Sequence, residues 1–293
     1  MFKLKIENEN GEVITLTGRE TMYQVISVEG LNPPNANVRR SSVAGMDGTK
    51  YMSANLEERN IVLTIRINGD VERNRLQLYR WFKTRHWCKV YYSNGSRDVY
   101  IEGYIETTEC GLFSISEQMQ VSIVCPDPYW LSAQEIVTDI SQIIGAFEFP
   151  FAFGARGVES PTITDDAIEF SQFILSRIVT ITNEGEDDTG LIIQITANDT
   201  VVNPVIYNAY TKEFFRMKMT MNEGDVLTIN TTKGQKSVML QSGITTTNQI
   251  NKVVRDSTWL SVGKGENFFT YDADEGSADM HILFTHRTKY QGV

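Results

Sequence analysis

No stretch of this chain keeps about 18 consecutive apolar positions, which argues against a transmembrane helix. Histidine is scarce. His86, His281 and His286 stand outside any recognisable catalytic context and no Gly-x-Ser-x-Gly occurs, so a nucleophile triad is hard to build. Cys88, Cys110 and Cys125 form no C-x-x-C pair and have no zinc-type spacing with the histidines. They are expected to be reduced, mostly buried thiols. Gly263-Lys264-Gly265 lacks the spacing of a phosphate-binding loop and reads as a turn. Glu184, Glu186, Asp187 and Asp188 follow no EF-hand pattern, and the expectation is a solvated acidic turn. Carboxylates such as Glu57 and Glu58 are neighbours in sequence, whereas glycoside hydrolysis needs two opposed across a cleft. No catalytic residue, cofactor or metal ligand is expected.

Charge is unevenly spread. Residues 1–130 carry 15 Lys and Arg against 16 Asp and Glu, and residues 131–293 carry 12 against 21. Nucleic-acid binding needs clustered cations, so the acidic second half argues against it. One basic cluster stands out: Arg73, Arg75, Arg80, Lys83, Arg85 and Lys89. The bland explanation is a solvated helix face. The sharper one pairs these cations with carboxylates of a neighbouring copy. The first residues alternate like a strand without a secretion core, so synthesis in the cytosol is expected. A hydrophobic content of 41% suffices for packed cores, and the length fits two domains.

The chain is organised around residues 60–130. Residues 60–67 are β-branched and alternate, with Ile61, Leu63, Ile65 and Ile67 on one face. Asp70 is a helix N-cap candidate, and 71–85 reads as an amphipathic helix with Val71, Leu78 and Phe82 on one stripe. Tyr79 and Trp81 flank that stripe, while Arg73 and Arg80 fall opposite. Strand patterning on both sides of Asn94-Gly95 marks a tight hairpin, because Asn-Gly tolerates positive φ. A further strand over 113–124 ends at Pro126 and Pro128.

Ahead of this block, short strands are expected over 2–7, 13–17 and 23–29, punctuated by Gly11 and Gly18. Residues 30–51 change character to a long polar loop, including Asn32, Arg39 and Arg40, which is either functional, ordered against a partner, or merely mobile. Beyond Trp130, residues 131–164 read as a linker whose Phe147, Phe149, Phe151 and Phe153 seek an apolar surface. From 165 to 293, short strands divided by turns such as Asn222-Glu223-Gly224 read as an antiparallel β-sandwich. The fold class is mainly β with one helix.

The order of Glu58-Arg59-Asn60-Ile61, Leu78-Tyr79-Arg80-Trp81-Phe82, Tyr100-Ile101-Glu102-Gly103-Tyr104 and Cys125-Pro126-Asp127-Pro128-Tyr129-Trp130 resembles the N-terminal domain of phage distal tail proteins, the Dit or Sipho_tail family. Thr182-Asn183-Glu184-Gly185, residues 260–271 and the ending 284–293 resemble that family's galectin-like C-terminal sandwich. The resemblance implies a barrel or split-barrel ring domain over 1–130 and a sandwich over 165–293. It also implies a virion protein without enzymatic activity, a homo-oligomeric ring of six copies by family habit. Its expected partners are the tail tube protein, the tail-tip protein and a receptor-binding protein, with no nucleic acid and no membrane insertion. The family's extended arm corresponds to residues 32–48. Interface candidates are Asn32, Arg39, Arg40, Arg73, Arg80, Asn94 and Gly95. Pro126, Pro128, Tyr129 and Trp130 would set the joint between domains through fixed turns and bulky rings. The alternative is a carbohydrate-binding adhesion module of a tail or tail-like particle, with Tyr207, Tyr210, Phe214, Phe215, Trp259 and Tyr271 available for stacking on sugars.

Overall fold

The computed structural model describes residues 2–17, 22–42, 44–45, 47–111, 117–140 and 178–293. In chain order the first half contains β1 (Lys3–Asn8), β2 (Val13–Thr15), β3 (Tyr23–Glu29), β4 (Ala36–Ser41), β5 (Lys50–Leu56) and β6 (Arg59–Ile67). Helix α1 (Val71–Trp81), β7 (Trp87–Ser93), β8 (Asp98–Cys110), β9 (Gln118–Cys125) and β10 (Trp130–Ser132) follow. The main sheet runs β2-β1-β7-β8-β9-β6-β3. Strand β6 is central because its alternation is strict: Ile61, Leu63, Ile65 and Ile67 are buried against Val90, Ile101, Val121 and Ile123. Each such aliphatic side chain contributes about 2 kcal/mol of burial.

Helix α1 starts where the sequence places it. The Asp70 carboxylate accepts from the Arg73 backbone N–H at 3.3 Å. Leu78 and Phe82 cover one face of the core, and Arg73 and Arg80 face solvent as expected. The helix stops at Trp81 rather than Arg85. Arg85 takes a left-handed φ of 73° and donates its N–H to Ile105 O, which turns the chain into β7. Gly103 is fixed by close approach: a Cβ there would stand 2.8 Å from Cys125 Sγ and 2.7 Å from Ile123 Cγ2. The three cysteines are free, and burial pushes the Cys88 and Cys125 thiols up to about 12. The two ends of the sheet approach through Leu16, whose N–H donates to Leu4 O while its carbonyl accepts from Val25 N–H. That link does not make a closed barrel, so the barrel expectation is met only as a curled, open sheet.

The second half contains β11 (Ile136–Ile140), β12 (Val179–Asn183), β13 (Thr189–Gly190), β14 (Ile192–Ala197), β15 (Val201–Val202), β16 (Val205–Asn208), β17 (Phe214–Arg216) and β18 (Thr220–Met221). It continues with β19 (Val226–Asn230), β20 (Ser237–Ser242), β21 (Thr245–Asn248), β22 (Ser261–Val262), β23 (Gly265–Asp272), β24 (Met280–His286) and β25 (Lys289–Tyr290). A six-stranded sheet, β11-β24-β14-β19-β20-β21, and a four-stranded one, β12-β23-β16-β17, enclose a single core that includes Ile193, Ile195, Phe269 and Phe284. This is the expected antiparallel sandwich.

Three expectations change. The 30–51 loop contains strand β4 and the start of β5, which pair as a hairpin. The 131–164 linker begins with two strands, because Leu131 and Ser132 pair with β8 and Ile136–Ile140 pairs with β24 of the sandwich. The chain ending does not close the sandwich alone: β25 pairs with β10, and Tyr290 and Val293 pack on the first core. Gly18, the start of the strand expected over 113–124, and the four phenylalanines of 147–153 lie outside the described residues.

Candidate functional site

Strands β4 and β5 pair only with each other, from Ala36 opposite Leu56 to Ser41 opposite Lys50. All of β4 is exposed. Facing residues in an antiparallel pair point to the same side, and alternate residues along a strand share a face. Ala36, Val38 and Arg40 therefore share one face with Leu56, Ala54 and Tyr51, while Asn37, Arg39, Ser41, Asn55, Ser53 and Lys50 make the other. The register shift after Arg39 leaves Met52 in a bulge. The arm is thus amphipathic, with Val38 39%, Tyr51 63% and Met52 61% exposed. Among the described residues Arg39 and Arg40 form no ion pair. A lone two-stranded hairpin is marginal in water, so this one presents an unmet apolar face.

The basic cluster divides. Arg75 turns onto Glu72 at 2.6 Å and over the Tyr79 ring, and Lys89 pairs with Glu102 and lies over Tyr100. Arg73, Arg80 and Lys83 stay exposed. At the hairpin tip, Gly95 has φ 88° and the Asn94 side chain accepts from the N–H groups of Ser96 and Arg97. Arg97 leaves the tip for the joint, donating to Gly292 O and to Glu186 at 2.6 Å while lying 4.4 Å over the Tyr290 ring.

The joint centres on a residue that the sequence reading quoted but gave no role. Arg59 is 3% exposed. Its Nε donates to Pro128 O at 2.9 Å, one terminal nitrogen donates to both Gly30 O and Asn32 O, and the other donates to Gln291 O. Burial lowers its pKa from the ordinary arginine value. Trp130, fully buried, lies 5.6 Å beneath the guanidinium and packs against Tyr92. Tyr129 donates its hydroxyl to Asp187 at 2.5 Å, with its pKa raised by burial and then by that carboxylate. Pro126 is exposed and Pro128 half-buried.

The acidic turn is therefore not simply solvated: Glu186 and Asp187 bind the first domain. Glu186 accepts from Gln291 N–H at 2.8 Å and from Arg97, and these bonds lower its pKa. On the sandwich side, Arg287 donates to Ser132 O and Ala133 O and pairs with Glu135 at 2.8 Å. Asn32 belongs to this joint through its carbonyl, apart from Arg39 and Arg40. The aromatics of the sandwich do not assemble one exposed platform. Phe215 and Tyr271 are core, Trp259 packs on Phe215, and Tyr210 stands alone at 84% exposure. Among the described residues no group of His, Cys, Asp or Glu could hold a metal ion.

Residues 9–121 match the family described as the phage tail protein RIFT-related domain, and residues 184–288 match the siphovirus-type tail component, C-terminal domain. No curated protein matches the chain. Among solved structures it is similar to the Dit protein of phage SPP1, described as a paradigm of the hub adsorption apparatus in phages infecting Gram-positive hosts. That similarity has 14% identity, covers 99% of each chain and has a TM-score of 0.68. It is also similar to a chain of the phage P2 baseplate in its activated conformation with calcium, at 11% identity over 100% of each chain and a TM-score of 0.59. The same baseplate with strontium gives the same values. With both halves matched in order, the chain belongs to the phage distal tail proteins, structural components of the tail and baseplate hub.

Proposed function

We propose that this protein assembles into a closed ring, six copies in the family's habit, at the distal end of the tail. The first domain continues the tail tube, and the arm of residues 36–56 lies across the neighbouring copy. The observation that carries this reading is the arm's amphipathic hairpin, whose Val38, Tyr51 and Met52 have no core of their own. A heterologous contact of this kind closes into a ring when its rotation fits. The exposed Arg73 and Arg80 add long-range attraction for carboxylates of the neighbour.

The protein acts as a scaffold without enzymatic activity. It joins the tube protein to the tip protein, and the sandwich faces outward to hold receptor-binding proteins. It is made in the host cytoplasm and works in the virion. Electron microscopy of the purified protein tests this directly: closed rings of uniform diameter are expected, and single particles at every concentration would contradict it.

A further inference from the structure

Buried arginines ordinarily meet a carboxylate, because taking a charge out of water costs several kcal/mol unless it is compensated. Among the described residues Arg59 has no ion-pair partner; its compensation there is four backbone carbonyls and the face of the Trp130 ring. The carbonyls come from three segments: Gly30 and Asn32 at the root of the arm, Pro128 between the domains, and Gln291 in the 289–293 strap returning from the sandwich. The strap and the arm root also touch each other. Val293 N–H donates to Leu31 O at 3.2 Å, and a Cβ on Gly292 would stand 3.0 Å from the Pro33 ring.

We propose that Arg59 is a positioning residue that locks the root of the arm to the returning strap, so that the arm's direction and the interdomain joint are set as one unit. This rests on the ring reading only for its consequence, that a sandwich out of place misdirects the arm; the coupling itself is independent of assembly. The planar fork is what makes the lock specific. Five N–H groups fixed in one plane reach carbonyls on several sides at once, whereas the three donors of a lysine sit on one flexible point. Arg59→Lys therefore keeps the charge and loses the lock.

The test is hydrogen exchange on the whole chain, following peptides over residues 29–36 and 287–293, with peptides over 193–197 and 280–284 as internal reference. In Arg59→Lys the arm-root and strap peptides are expected to exchange together, at least about tenfold faster, while the sandwich core is unchanged. Acceleration of one segment without the other, or of neither, overturns the proposal. Should Arg59→Lys loosen the core as well, Gly292→Ala decides in the same assay, since it presses on Pro33 and leaves Arg59 in place. Faster exchange at 29–36 then supports coupling, and an unchanged arm root overturns it. A wild-type chain that stays monomeric would count against the ring reading alone, because the exchange result is read from each molecule by itself.

Discussion

The arm and the strap both leave their own domains, yet they end in opposite situations. The 289–293 strap is short and finds partners at once: β10, Arg59, Arg97 and the first core. The arm, residues 36–56, is longer, pairs only with itself and keeps an apolar face in solvent. The strap's surface is satisfied inside one molecule and contributes to folding. The arm's surface stays uncovered in the single chain and, on the proposed reading, contributes little until a neighbouring copy covers it.

The largest expected effect separates the two. Val38→Glu with Tyr51→Glu should abolish assembly, read as solution mass, while the melting temperature stays within about 2 °C of wild type, because neither side chain is buried in the monomer. Tyr290→Ala should do the reverse. It removes the ring beneath Arg97 and the hydroxyl that accepts from Thr288, lowering stability by about 2 kcal/mol in denaturant unfolding. A Tyr290→Ala protein as stable as wild type would break the contrast.

A smaller effect concerns pH. The Gln291 N–H and Arg97 lower the Glu186 pKa in the folded state, so the unfolded chain binds the proton more readily. Its contribution is full above the ordinary carboxylate value, about 4.3, and is lost as pH falls through the lower folded value. His286, lowered by burial, acts in the same direction but already below about 6.5. Exchange at the strap should therefore rise under acid beyond the intrinsic rate, and Glu186→Gln should remove the more acidic part of that dependence. The arm beyond its root, residues 37–56, should keep the intrinsic pH dependence throughout. Smallest of all, Arg73→Glu with Arg80→Glu should weaken assembly by under about 1 kcal/mol, with the difference vanishing as salt rises. An effect that persists at high salt would place these residues inside the interface rather than at its edge.

Legibility in the sequence followed burial. Strand β6 and helix α1 were readable because each has one face in the core, so Ile61, Leu63 and Ile65, or Leu78 and Phe82, fall at a regular period. The Asn94-Gly95 turn was readable from its backbone chemistry. The arm's strands were not: β4 has no buried face in the monomer, and one valine among Asn and Arg sets no period strong enough to mark a strand. Its exposure was still visible from its polarity. The joint was half legible. Pro128, Tyr129 and Trp130 stand at it, but Arg59 binds backbone carbonyls up to 232 residues away, and carbonyls leave no mark on side-chain identity. Glu186 and Asp187 read as a solvated turn although they hold the first domain, because their side-chain partners Arg97 and Tyr129 lie 89 and 58 residues away, where sequence spacing does not bring them together.

The most direct test of the arm as the assembly surface is solution mass by light scattering, measured for wild type and for Val38→Glu with Tyr51→Glu over the same range of concentration and salt. A discrete closed oligomer for wild type and a folded monomer for the variant is the predicted result. The same mass for both proteins would contradict it.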